Sequence, residues 1–425
     1  METKEAIVAK RDGNGNTTEQ LRHIARGAAD GSIPDSLLSA WLMAAFLNGL
    51  DPRETADLTL EMAASGERLD LAGVPRPWLD KHSTGGVGDK TTLVVLPILA
   101  ARGITVVKMS GRGLGITGGT VDKLESVPGF RVDLSPAEMV DQAARIGIAL
   151  TGQTPKLAPA DKTMYRLRDE TATIESVPLI TSSILSKKIA GGAEAVVFDV
   201  KCGSGAFMRN VEAATELASS LRRVGELAGI RVRTLVTDMD QPLGRAVGNT
   251  LEVIEAIETL SGNGEPRFTE LCTQLAGAGL SLVGRGDVQD AKAALESGAA
   301  LSKCEEWFRA QGADWNSVRG GEIPKAPEVT PIRSPRSGWI GRLDARAIGE
   351  VAVQLGAGRT HPGARVDPSV GIEVLASVGS RVESGQPVLQ IHGRSRSEDQ
   401  ESALLAAVEV RDDPTEPRPV VLSFD

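Results

Sequence analysis

Strand-like runs alternate with helical patterns through the middle of the chain, and this alternation restricts the fold more than any other feature. The runs ITVVK (104–108), AVVFDV (195–200) and VRTLVTD (232–238) are rich in β-branched residues. Among them lie the helical patterns MVDQAARIGIAL (139–150) and EAATELASSLRRVGELAG (212–229). Repeated strand and helix predict a mostly parallel sheet covered on both faces.

The flanks differ from this centre. Thr17 and Gln20 form a capping box that opens one helix, and Pro34 opens a second that Gly49 can close. Asp51, Pro52 and Glu54 cap a third, ended by Gly66. Residues 322–337 carry Pro324, Pro327, Pro331 and Pro335 and read as a linker into a Gly- and Val-rich tail. The predicted fold class is α/β, with an N-terminal helical domain, a central mostly parallel-sheet α/β domain and a C-terminal α+β domain. The boundaries are 1–66 (with 160–192 packing back on it), 70–158 with 193–325, and 338–425. The tail stretch VGSRVESGQPVLQIHG has the strand–turn–strand look of a lipoyl or biotin carrier. No lysine follows Lys325, so the tail lacks a carrier's acceptor and reads instead as a packing or dimer-supporting module.

The 47 Lys+Arg against 56 Asp+Glu give a net charge of -9, which argues against a general nucleic-acid binder. The cysteines, Cys202, Cys272 and Cys304, are odd in number and far apart, which fits a reducing compartment. The N-terminal residues show no signal-like apolar segment, and no run is long enough to span a bilayer, so a cytoplasmic location is expected.

Two glycine-rich loops carry the densest chemistry. The first is Lys81-His82-Ser83-Thr84-Gly85-Gly86-Val87-Gly88-Asp89-Lys90-Thr91-Thr92, and the second runs from Ser110 through Gly119 to Thr120. Each stands where a strand would feed a helix, so backbone N–H groups and a helix N-terminus can face an anion. Hydroxyls of Ser83, Thr92, Ser110 and Thr120 and the Lys81 ammonium can complete a phosphate-sized cage. The bland alternative is a pair of tight turns. A Walker motif fails because Asp89 precedes Lys90-Thr91. The dinucleotide fingerprint does match at Gly113-x-Gly115-x-x-Gly118, with Asp133 downstream. Against it, Pro128-Gly129 leaves the following helix barely two turns, too short for an ordinary crossover.

A third cluster spans Asp161–Asp169, followed by SVPLITSSILSKK. On a helix Ser183 and Lys187 lie on one face, and Arg168 and Lys187 can then offer donors to a polar ring. Tyr165 is the chain's single tyrosine. Taken alone, Arg168 reads first as a surface ion pair with Asp169 or Glu170, and Lys187-Lys188 reads equally as a solvated helix end. His82, between Lys81 and Ser83, borders the first loop, and an unperturbed imidazole exchanges protons near neutrality. In the fourth cluster, Gly203-Ser204-Gly205 can act as a mobile turn carrying Phe207 and Met208 over a flat base, or can be an ordinary strand end. Cys202 reads as an inert structural thiol.

Together DKHSTGGVGD, KMSGRGLG with TGGT and DKLESVPGF, TGQTPKLAPADK with YRLRDETATIESVPLI, and DVKCGSGAFM resemble the pyrimidine-nucleoside phosphorylase and thymidine phosphorylase family over essentially the whole chain. The resemblance implies a cytoplasmic homodimeric pentosyltransferase of nucleoside salvage, which acts on small molecules and not on nucleic acid or membranes. Inorganic phosphate is its co-substrate, and it needs no organic cofactor. By motif position, Lys81, Ser83, Thr92, Lys108, Met109, Ser110 and Thr120 match the family's phosphate-binding residues. Arg168, Ser183 and Lys187 match those that hold the pyrimidine, His82 the proton donor, and Tyr165, Phe207 and Met208 the pocket wall. Gly88, Leu243, Ala246 and Glu255 match potassium-binding positions, but Lys90 stands where some relatives use Thr. An ammonium there can replace the ion and pair with Glu255. Ile116 replaces a histidine common in relatives, and Cys202 a more usual apolar residue. Lys108 before Met109 favours the broad pyrimidine enzymes over a thymidine enzyme restricted to 2′-deoxynucleosides. A dinucleotide-dependent dehydrogenase and a non-catalytic homologue remain as more distant alternatives.

Overall fold

The computed structural model describes all residues except Met1, Leu114, Thr117, Pro155, Pro362, Arg396 and Asp425. Leu114 and Thr117, which belong to the second glycine loop, therefore lie outside the described residues.

The chain opens with α1 (Glu2–Arg11), α2 (Thr18–Asp30), α3 (Asp35–Asn48) and α4 (Pro52–Ala64). Thr17 and Gln20 close a reciprocal capping box on α2, and Asp51 and Glu54 do the same on α4, so two N-terminal donors are satisfied at each start. There follow β1 (Leu79–Ser83), α5 (Thr91–Ala101), β2 (Val106–Ser110), α6 (Thr120–Glu125), α7 (Pro136–Ile146), β3 (Ile148–Gly152), α8 (Pro159–Glu170) and α9 (Val177–Ala190). Next come β4 (Ala195–Cys202), α10 (Val211–Leu227), β5 (Arg231–Asp238), β6 (Ala246–Val247), α11 (Asn249–Glu258), α12 (Pro266–Leu282), α13 (Val288–Glu296), α14 (Ala299–Ala310) and α15 (Trp315–Arg319). The last part holds β7 (Glu328–Arg333), β8 (Gly338–Leu343), α16 (Ala345–Leu355), β9 (Gly371–Val374), β10 (Arg381–Val382), β11 (Pro387–Gly393), α17 (Glu398–Ala406), β12 (Val408–Arg411) and β13 (Val421–Phe424).

Strands β1, β4 and β5 pair in parallel, and β2 pairs in parallel with β3. A parallel bridge between Trp78 and Thr105 joins the two sets, which gives the order β3-β2-β1-β4-β5. The winding reverses between β1 and β4, the place where open α/β sheets bind ligands beyond their strand ends. Strand β4 is buried along its whole length. Its Val196, Phe198 and Val200 pack on the α10 side, and Ala195 and Val197 join the opposite core with α5 and α12. The N-terminal helices form a separate apolar cluster that includes Ala160, Met164 and Leu167 of α8 and Leu179 of α9.

Three expectations change. The helical pattern at 139–150 stops at Ile146, because Gly147 takes a left-handed φ of 79° and turns the chain into β3. The proline-rich segment is not a free linker, since β7 occupies its middle. That strand pairs only with β11, at the sheet edge, where Pro331 needs no N–H. The tail's strand–turn–strand does not pair with itself: β10 joins β8, whereas β11 joins β7 and β9. The last strand, β13, runs antiparallel to β5 and extends the central sheet.

Candidate active site

The two glycine loops leave the C-terminal ends of neighbouring parallel strands. Lys108 Nζ donates to the Lys81 carbonyl at 2.5 Å. The register set by Trp78 and Thr105 brings Ser83 level with Ser110. In the first loop a continuous hydrogen-bond chain organises the polar groups. Lys81 Nζ donates to Thr91 Oγ1, which donates to Asp89 Oδ1 at 2.5 Å, and Ser83 Oγ donates to Asp89 Oδ2. Gly85 N–H donates to Ser83 Oγ at 3.2 Å. Burial works against the Asp89 carboxylate, but the Lys81, Lys201 and Lys123 charges outweigh it and hold Asp89 well below the usual carboxylate range. Thr92 is buried in the first turn of α5; Ser110 and Thr120 are half-buried at the two ends of the second loop.

Beneath these loops lies a layer of buried charge. Asp80 bonds Lys188 at 2.6 Å and Lys108 at 3.4 Å, so one carboxylate serves two ammonium groups. Asp199 bonds Thr237 Oγ1 at 2.6 Å and meets Lys201 at 2.7 Å and Lys81 at 3.8 Å. Burial, with Lys188 and Lys81 adding repulsion, pushes the Lys108 ammonium down to about 7. His82 packs edge-on against Phe198, with ring centres 5.8 Å apart. Burial and the ammonium groups of Lys188, Lys108, Lys81 and Lys187 drive its pKa well below the ordinary histidine value. This corrects the reading of His82 as a group titrating near neutrality: its imidazole is neutral there and donates only through one ring N–H.

Helices α8 and α9 supply the other side. Lys187 Nζ donates to Asp161 and, at 3.1 Å, to Ser183 Oγ, so the four-residue spacing does bring Ser183 and Lys187 together. Arg168 is buried rather than paired with Asp169 or Glu170. Its guanidinium donates to the carbonyls of Thr173, Ile174 and Leu179 and anchors the turn between α8 and α9. The neighbouring Arg166 pairs with Glu170 instead. Lys188 is likewise buried, on Asp80, and is not a solvated helix end. That ion pair pins α9 to β1, and the side chain of Met109 lies against Gly191 just beyond α9. Tyr165 is 51% exposed and Phe207 45% exposed, while Met208 is buried. Asp133 lies before α7, exposed and bound to Arg131, and not at a strand end where it would meet a ribose.

The positions that resemble a potassium site converge on the Lys90 ammonium. It bonds the Leu243 carbonyl at 2.5 Å, the Ala246 carbonyl at 3.1 Å and Glu255 at 2.6 Å, and sits 4.9 Å from the Phe268 ring centre. A side chain at Gly88 would collide with the same two carbonyls. These donors are already used by an ammonium, so they do not fit an additional potassium ion. Residue patterns alone pointed to neither Asp80, Asp89 nor Asp199. Asp80 and Asp89 each precede a predicted site lysine, and that adjacency was the available signal; Asp199, between Phe198 and Val200, carried none.

With this geometry in view, the comparisons are specific. Residues 4–66 match the glycosyl transferase family helical bundle domain and residues 76–301 its a/b domain, and residues 339–410 match the pyrimidine nucleoside phosphorylase C-terminal domain. Anthranilate phosphoribosyltransferase from Thermus thermophilus shares the fold, with a TM-score of 0.56 at 20% identity over 72% of this chain and 99% of that one. The architecture is thus that of a glycosyl transferase with a helical bundle and an a/b domain. The pyrimidine-nucleoside phosphorylases of Geobacillus stearothermophilus and Bacillus subtilis are 43% and 44% identical to it, each over 94% of both chains. The chain belongs to the pyrimidine-nucleoside phosphorylase family.

Proposed function

We propose that this protein catalyses the reversible phosphorolysis of pyrimidine nucleosides to free base and (deoxy)ribose 1-phosphate. The observation that carries the reading is the level placement of Ser83 and Ser110 at adjacent strand ends, with α9 and its Lys187 pinned beside them through Lys188 and Asp80. Phosphate is held by Lys81, Ser83, Thr92, Lys108, Met109, Ser110 and Thr120. The base is held by Arg168, Ser183 and Lys187 between Tyr165, Phe207 and Met208. A phosphate oxygen forms a bond to C1′ as the glycosidic bond breaks, inverting that carbon, and the bond pair leaves with the pyrimidine. The Lys187 and Arg168 charges and the His82 N–H stabilise the anion as it develops. Because phosphate and base sit on different units, 1–66 with 160–192 closes against 70–158 with 193–325 in each turnover, turning about the Lys188–Asp80 contact that joins them.

Three finer readings accompany this one. Lys108 ahead of Met109 favours acceptance of uridine as well as deoxynucleosides. Lys90 makes the enzyme independent of potassium, because its ammonium supplies the charge that Glu255 faces. Val8, Met43 and Leu47 are exposed on α1 and α3, and apolar side chains left at the surface there suit a second copy of the chain, giving a homodimer in a cytoplasmic salvage enzyme. No helix of the described residues is long and apolar enough to cross a membrane. The test is base release from uridine, thymidine and deoxyuridine side by side, with and without phosphate. Release from all three with phosphate supports the broad reading, and release from the deoxynucleosides alone supports the restricted one. No phosphate-dependent release from any would refute both.

A further inference from the structure

The second glycine loop is held from two directions. Within its own domain, Asp122 accepts the Gly113 N–H at 2.7 Å. From the C-terminal part of the chain, Arg359 reaches the same place. Its carbonyl accepts the Gly115 N–H at 2.9 Å, and its guanidinium lies 2.7 Å from Asp122 and 3.4 Å from the Gly113 carbonyl. Both Arg359 and Asp122 are buried. Close by, α16 lies directly on Ile116. A Cβ on Gly349 would fall 3.1 Å from that of Ile116 and 2.8 Å from Val87, so a larger residue there would push the loops away. A buried ion pair of this kind adds little net stability over an apolar contact, but breaking it leaves an uncompensated buried charge. Asp122 lies two residues beyond Thr120, at the start of α6, so whatever fixes Asp122 also fixes Thr120 and the Gly113 N–H it accepts.

We propose that Arg359 is a positioning residue for phosphate: by tying Asp122 and the Gly113 carbonyl to the C-terminal domain, it holds the Ser110–Thr120 segment in its anion-binding shape. The inference rests on the reading of that segment as a phosphate site. It gives the C-terminal domain a part in substrate affinity, although Arg359 itself touches none of the residues assigned to the nucleoside.

The test is steady-state kinetics of the full chain with phosphate and nucleoside varied separately, for wild type, Arg359→Met and Arg359→Lys, together with phosphate affinity by calorimetry. For Arg359→Met the phosphate KM and Kd rise about ten-fold or more, as expected for a loop displaced by a fraction of an ångström. The nucleoside KM stays within about two-fold, and Arg359→Lys falls between. An unchanged phosphate Kd, or an equal rise in both KM values, would overturn the proposal. Should Arg359→Met fail to fold, Asp122→Asn provides the second reading. It keeps an acceptor for Gly113 but loses the charge facing Arg359, which also lies 3.3 Å from Arg112, and the same selective loss of phosphate affinity is expected. Failure of the functional reading looks different: wild type would then show neither phosphate binding nor phosphate-dependent turnover.

Discussion

Replacing Lys90 with Thr tests how this protein has dealt with a buried carboxylate. Lys90 and Glu255 are both buried, and the ammonium also satisfies two carbonyls, those of Leu243 and Ala246. Removing one partner of such a pair costs about 3–5 kcal/mol. Glu255 keeps two backbone donors, Arg245 N–H and Ala246 N–H, each at 2.7 Å, so the lower end of that range applies. About 3 kcal/mol corresponds to a fall in Tm of roughly 3 °C in a chain of this size. The substitution also opens a space ringed by two carbonyls and a carboxylate, which suits a monovalent cation. An ion present at about 100 times its Kd would return ~2.7 kcal/mol. The assay is thermal unfolding and phosphorolysis of Lys90→Thr and wild type in potassium, sodium and choline salts. We expect wild type to be indifferent to the cation, and Lys90→Thr to lose stability in choline and recover most of it in potassium. A variant as stable as wild type without potassium, or a wild-type enzyme strongly accelerated by potassium, would refute the reasoning.

Three further outcomes are expected of the site residues. His82 is held neutral, so the kcat/KM profile should show no loss attributable to imidazolium deprotonation as pH rises through about 6.5. His82→Ala and Lys187→Ala should each lower kcat/KM by about 10²-fold or more, and wild-type rates in both would reject their roles. Lys108, depressed to about 7, is mostly neutral at pH values above that in the free enzyme. Arrival of an anion beside it raises its pKa again, so phosphate binding near pH 8 should take up protons. Calorimetry in buffers of different ionisation heat measures this uptake, and Lys108→Met should reduce it; identical uptake in the variant would contradict the assignment.

The parts of this molecule legible in the sequence are those set by local chemistry. The capping boxes at Thr17 and Asp51 need only neighbours three residues apart, and both form. The fold class was readable because the runs that become β4 and β5 are rich in β-branched residues and alternate with helices. Long-range partners were not. Nothing near Lys188 indicates that it is buried, because Asp80, its partner, lies 108 positions away. Arg168 looked like a surface residue until the turn after α8 and the start of α9 brought three carbonyls onto its guanidinium. The proline-rich segment resembled a linker because composition cannot distinguish an edge strand from free chain. The depressed pKa of His82 arises from burial and from lysines on three separate elements, so its reference value was a poor guide.

The central claim is that phosphate, and not water, receives the sugar. Phosphorus NMR of the protein incubated with uridine and inorganic phosphate tests this most directly. The account predicts that the phosphate signal declines as a ribose 1-phosphate signal of inverted configuration grows, in step with uracil release. Uracil accompanied by free ribose, with phosphate unconsumed, would contradict it.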